Sequence, residues 1–204
     1  KGIIFLGGWF SHDEKRLKQI NVPFVLSTIS MFEGVDKKIY SSVSVDDVKE
    51  SKKAVDCLCE YGHEKIVMLA AQPWDESISG LRVQGYKKAL EERQIPINEN
   101  LIRYTFQEET AFTMENGYKL MKELLESDEE FTAVYAISDS MAIGASKAIL
   151  ESGKKIPEDY SVMGFDGLDI AYYYNPSIST IRQPVEDMAK ETSKILFDLI
   201  ENNA

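Results

Sequence analysis

Residues 66–70 read Ile-Val-Met-Leu-Ala, five apolar positions with no polar alternation. A strand of that pattern is covered on both faces, the situation of a parallel sheet flanked by helices. The segments on either side agree. Upstream, Asp46 is placed as an N-cap, because its carboxylate can accept from the unpaired amides of a first helical turn. Val48, Ser51, Val55 and Leu58 then recur at three-to-four spacing, and Gly62 supplies a left-handed C-terminal cap. Downstream, Val83, Tyr86 and Leu90 mark a second helix that ends before Pro96.

The alternation extends outward. Strands are expected over residues 101–106, 133–137 and 160–165. Between them, Ala111, Met114, Tyr118, Met121 and Leu125 form one helical stripe. Met141, Ala145, Ala148 and Ile149 form another, stopped by Gly153 and Pro157. Strand and helix thus alternate four times between Val48 and Phe165, which gives an α/β fold with an open parallel sheet. Nearer the start, residues 2–6, 22–27 and 39–45 read as strands and residues 12–19 as a short polar helix. At the other end, Pro184 suits the first position of a helix, carried on by Val185, Met188, Thr192, Ile195 and Leu199.

Composition excludes several function classes. Of 204 residues, 44% are hydrophobic and 28% charged, an ordinary globular mix. The net charge of -11 opposes direct nucleic-acid binding, which needs clustered Lys and Arg, so any DNA-binding part is expected outside these residues. Cys57 and Cys59 point different ways on a helix, so they read as reduced, partly buried thiols that suit a reducing compartment. His12 and His63 have no ligand spacing, so no metal site is expected. No apolar run reaches membrane-spanning length, and the opening residues read as a strand and turn rather than a signal peptide. No phosphate-binding glycine loop, nucleophile–base pair or cofactor motif is present, so neither an enzyme nor a cofactor is expected.

In an open parallel sheet, ligands bind beyond the carboxyl ends of the strands. Those positions hold Gly7, Gly8, Trp9 and Phe10; Ser27 and Thr28; Gln72, Pro73, Trp74 and Asp75, with Arg82 near the next helix start; Ser138 and Asp139; and Asp166. Aromatic rings, carboxylates, an arginine and small hydroxyls suit a polyhydroxylated ligand. Asp and Arg each bridge neighbouring hydroxyls, and a ring covers the apolar face of a sugar. Position alone leaves other roles open. Arg82 could be a solvated helix charge, Trp74 a packed loop aromatic, Asp139 and Asp166 helix caps, and Tyr172-Tyr173-Tyr174 a packed surface turn. Asp46-Asp47 is read as a cap and nothing more.

Five segments carry a resemblance. Tyr61-Gly62-His63-Glu64-Lys65-Ile66 resembles a Gly-His-x-x-Ile step, and Arg82-Val83-Gln84-Gly85-Tyr86 an R-x-x-G-[YFW] motif. Ser138-Asp139-Ser140-Met141-Ala142-Ile143-Gly144 resembles N-D-x-M-A-x-G. Residues 156–166 resemble I-P-x-D-[IVL]-S-V-x-G-[FY]-D, and Ser179-Thr180-Ile181-Arg182-Gln183-Pro184 resembles [ST]-T-[IV]-x-Q-P. Taken in order, the set resembles the LacI/GalR family of transcriptional regulators across nearly the whole chain.

The resemblance implies a periplasmic-binding-protein-like type I fold: two lobes with parallel sheets flanked by helices. Residues 1–44 and 184–204 would form part of an N-terminal lobe, and residues 45–183 the C-terminal effector-binding lobe. It also implies a helix-turn-helix, a hinge and two further βα units before Lys1 and a last strand after Ala204, leaving the N-terminal lobe incomplete. The implied function is the sensing and dimerisation core of a cytoplasmic regulator, a repressor. A small sugar in the interlobe cleft would modulate operator binding by the headpiece. A purine is the runner-up ligand, and a periplasmic-type sugar-binding transport protein the alternative function. Carried over by position, Arg82, Asp166, Phe165 and Asp139 match effector-contacting residues. Ser138 stands where Asn is usual, Thr28 where Asp is common, and Gly167 where a second Asp is frequent. With Trp74 and Trp9, these eight residues other than Gly167 are the expected effector site.

Overall fold

The computed structural model describes residues 1–7, 14–29, 36, 38–75, 77–105 and 111–202. In chain order the elements are β1 (Ile3–Leu6), α1 (Glu14–Lys18), β2 (Phe24–Ser27), β3 (Ser41–Val43), α2 (Asp47–Glu60), β4 (Ile66–Ala70) and α3 (Ile78–Glu92). A single 3-10 turn (Glu99–Leu101) precedes β5 (Ile102–Tyr104). Then come α4 (Met114–Leu125), β6 (Ala133–Ala136), α5 (Asp139–Glu151), β7 (Ser161–Asp166), α6 (Asp169–Tyr173), β8 (Ser179–Arg182) and α7 (Val185–Asn202). The chain divides into two compact units, Lys1–Asp46 with Pro184–Ala204, and Asp47–Gln183.

The first unit holds a parallel sheet of order β1-β2-β3, with Val25 opposite both Ile4 and Ser41. Its core is Leu17, Phe24, Leu26 and Ile29, with Phe5, Ile20, Ile39 and Tyr40 packed against it. Phe5 meets Phe24 edge-on at 6.1 Å between ring centroids. From α7, Met188 and Thr192 are buried, and the Thr192 hydroxyl donates to Ser27 Oγ at 3.4 Å.

The second unit is a five-stranded sheet of order β5-β4-β6-β7-β8, parallel throughout. Every residue of β4 and β6 is buried, as the uninterrupted apolar runs require. The chain leaves β4 to add β5 on one side, then returns to build β6, β7 and β8 on the other. The order therefore reverses between β4 and β6, the kind of switch point at whose carboxyl strand ends ligands bind in open parallel sheets. At the opposite end, His63 ties the starts of two strands together. Nδ1 lies 2.9 Å from Thr132 Oγ1 and Nε2 2.9 Å from Ser161 Oγ. Burial lowers the pKa of its ring.

Helices α4 and α5 pack backbone to backbone. A Cβ on Gly144 would lie 1.9 Å from the Met114 carbonyl oxygen, and one on Gly117 would lie 2.1 Å from that of Met141. Because the obstacle is main chain, it cannot turn aside. Gly144→Val is expected to cost about 2–3 kcal/mol in urea unfolding.

Several elements differ from the reading of the sequence. The segment 179–182 is a strand, and residues 169–173 form a helix on which Tyr172 and Tyr173 are exposed, not a packed turn. Helix α7 begins at Val185, with the Pro184 carbonyl accepting from the Met188 amide, so the proline caps the helix. The polar helix at 12–19 is Glu14–Lys18, and its expected first two residues lie outside the described residues, as does Phe106.

Candidate functional site

The carboxyl end of the second unit's sheet is organised around Arg82, which α3 delivers from its second turn. The side chain is 4% exposed. Its guanidinium lies over the fully buried Phe165 ring, 3.6 Å from the centroid. Nε donates to Asp47 Oδ1 at 2.8 Å, and Nη1 donates to the Ile137 carbonyl just past β6. Nη1 also stands 3.7 Å from Asp166 Oδ1. A buried guanidinium cannot lose its proton, so it needs a carboxylate. Asp47 supplies it. Asp46 stands at the cap position of α2, but Asp47 is not a cap residue: its carboxylate, also 4% exposed, serves the arginine.

Asp166 ends β7 with a backbone φ of 125°. That conformation is rare outside glycine and is retained where neighbours enforce it. Gln183 does so at both ends, with its amide N–H donating to the Asp166 carbonyl at 3.0 Å and Nε2 to Oδ1 at 2.8 Å. Burial pushes the Asp166 pKa up to about 6, with Arg82 and Gln183 pulling against it. The carboxylate is charged at neutral pH and remains partly accessible, an acceptor aligned beside a cation.

Asp139 has a different task. It is fully buried, and burial raises its pKa against several hydrogen bonds. Oδ2 accepts from the Leu168 amide at 2.7 Å and Oδ1 from the Thr180 hydroxyl at 2.5 Å. Room for it comes from Gly164, where a Cβ would lie 2.4 Å from Oδ1. One oxygen thus holds the turn after Asp166 and the other holds β8, so Asp139 ties the two together. Ser138 caps α5, accepting from the Met141 amide at 3.2 Å.

The structure therefore brings Arg82, Phe165, Asp166, Asp139 and Ser138 to one sheet end, and Trp74 follows β4 at the same end, 56% exposed. Thr28 belongs to the first unit, at the carboxyl end of β2. It has a φ of 57°, and its hydroxyl donates to the Ser27 carbonyl at 2.6 Å. Trp9 lies outside the described residues. Sequence reasoning missed Asp47, Gln183 and Thr180 as parts of this arrangement. The last two stand in a recognised motif without a role, and Asp47 reads in the sequence as a cap.

This arrangement can hold neighbouring hydroxyls. Arg82 offers donors and Asp166 offers acceptors.

Comparison with known proteins is consistent with that chemistry. A family model for a periplasmic binding protein-like domain matches residues 55–204. The HTH-type transcriptional regulator MalR of Clostridium butyricum is 39% identical over 201 residues, 98% of this chain and 58% of that protein. Among solved structures, a sugar-binding transcriptional regulator of the LacI family from Escherichia coli, complexed with phosphate, superposes with a TM-score of 0.83. It is 31% identical, over 98% of this chain and 69% of that one. A complex of the transcriptional regulator CelR with cellobiose gives a TM-score of 0.85 at 30% identity, over 100% of this chain and 60% of that one. The chain spans about half the length of the curated relatives it matches, from 49% to 58%.

Proposed function

Because this chain belongs to the LacI family of transcriptional regulators, whose members are not enzymes, we propose that it is the ligand-sensing and dimerisation core of a bacterial repressor that responds to a sugar. The observation that carries the proposal is the Arg82–Asp166 pair at the carboxyl ends of β6 and β7, beside the point where strand order reverses. A cation with several donors next to a carboxylate acceptor binds adjacent hydroxyls of a saccharide. The CelR complex with cellobiose supports a sugar over a nucleobase.

Operator contact falls to a part of the protein outside this chain, since a net charge of -11 disfavours a phosphate interface here. That role places the protein in the cytoplasm. A second copy of the chain is the partner. Leu168, Ile170, Tyr172 and Tyr173 are all exposed around α6 and offer the kind of apolar surface that copies of a chain bury between them.

Thermal unfolding of the full-length protein against saccharides, nucleosides and purines tests the reading. A sugar at 100 times its Kd adds about 2.7 kcal/mol, a shift on the order of 5–10 °C at this size. A shift with nucleosides or purines alone would overturn the assignment to sugars.

A further inference from the structure

Gln72 stands two residues past β4, at the reversal of strand order. It is 1% exposed, yet neither Oε1 nor Nε2 has a hydrogen-bond partner among the described residues. Three residues on, Asp75 is buried too. Its Oδ1 accepts from the Ser77 amide at 2.8 Å, while Oδ2 has no partner among the described residues. The turn between them is well fixed. The Asp75 amide donates to the Gln72 carbonyl at 3.1 Å, and the Ala71 amide donates to Ser79 Oγ at 2.9 Å. Trp74, in the same turn, is the exposed member.

A buried amide with both ends unpaired is costly, and an apolar side chain of similar length would pack without that cost. The polar group therefore implies a partner from outside the fold. We propose that Gln72 is a specificity-determining residue that reads a hydroxyl pair on a second sugar ring, so that the ligand is a disaccharide. The inference rests on the reading of Arg82 and Asp166 as the sugar site.

Strand order fixes the scale. β4 neighbours β6 and β6 neighbours β7, so Gln72 and Asp166 lie two strand spacings apart, about 10 Å. A ring whose hydroxyls sit on Asp166 would leave Gln72 to a second, linked ring. The amide offers one donor group and one acceptor, which matches adjacent hydroxyls. Asp75 Oδ2 adds an acceptor, and the Trp74 indole a face on which the second ring can lie.

Calorimetric titration of the full-length protein, wild type, Gln72→Met and Trp74→Ala, with disaccharides and their component monosaccharides is the test. The wild type is expected to bind one disaccharide at least about ten-fold tighter than either monosaccharide. Gln72→Met is expected to erase that preference, leave monosaccharide affinity within about two-fold, and raise the ligand-free unfolding temperature by removing an unpaired amide. Trp74→Ala, a substitution at an exposed side chain, is expected to weaken the disaccharide. If Gln72→Met leaves disaccharide affinity intact, Gln72 does not touch the ligand and the inference falls alone. Equal loss for both ligand sizes overturns it as well. A wild type that binds no saccharide removes the sugar reading and this inference together.

Discussion

Asp47→Ala is expected to lower folding stability by about 3–5 kcal/mol, because it strands a cation that cannot be neutralised. Arg82 and Asp47 are both 4% exposed, and their 2.8 Å contact joins the first residue of α2 to α3. Without it, Arg82 is left, among the described residues, with the Phe165 ring, the Ile137 carbonyl and an Asp166 carboxylate 3.7 Å away. Urea unfolding should show a lower midpoint with an unchanged slope, the sign of lost stability rather than altered compactness. Asp47→Asn, which keeps an oxygen for Nε, should lose less. A cost below about 1 kcal/mol for Asp47→Ala would mean that the cation is solvated and the pair as described is wrong.

Asp166→Asn should separate stability from function. The carboxyl of Asp166 has a folded pKa of about 6, raised by burial above its unfolded value of 3.8. The folded state thus holds that proton more tightly. The associated stability is fully present below about pH 4 and is lost as pH rises through about 6. Asparagine removes the titration, so the variant should be no less stable than the wild type at pH 8, and the pH dependence between those limits should flatten. Ligand affinity should move the other way. Losing the charged acceptor beside Arg82 is expected to weaken sugar binding about 100-fold at pH 7.5. In the wild type, affinity should fall by about ten-fold per pH unit below 6 as Asp166 protonates. Calorimetric titration and urea unfolding across pH 4–8 check both halves.

What the sequence disclosed follows from which interactions are local. β4 and β6 were legible because burial on both faces leaves nothing but apolar side chains in Ile66–Ala70 and Ala133–Ala136. β8 was not, because Ser179–Arg182 is a partly exposed strand at one side of the sheet and mixes polar with apolar residues. α6 is five residues long, too short for a helical repeat to register. In the site, Arg82, Phe165 and Asp166 were found through motifs, yet their relation was not. Asp47 and Arg82 are 35 residues apart in sequence and meet only once α2 packs on α3. The hydrogen bonds that Asp139 accepts from Leu168 and Thr180, brought round by β7 and β8, were likewise not legible.

The central claim is that the Arg82–Asp166 pair is where a sugar is held. A crystal structure of the full-length protein with the saccharide that gives the largest thermal shift tests it most directly. The account predicts sugar hydroxyls within about 3.2 Å of both the Asp166 carboxylate and the Arg82 guanidinium. A saccharide bound elsewhere, touching neither side chain, would contradict it.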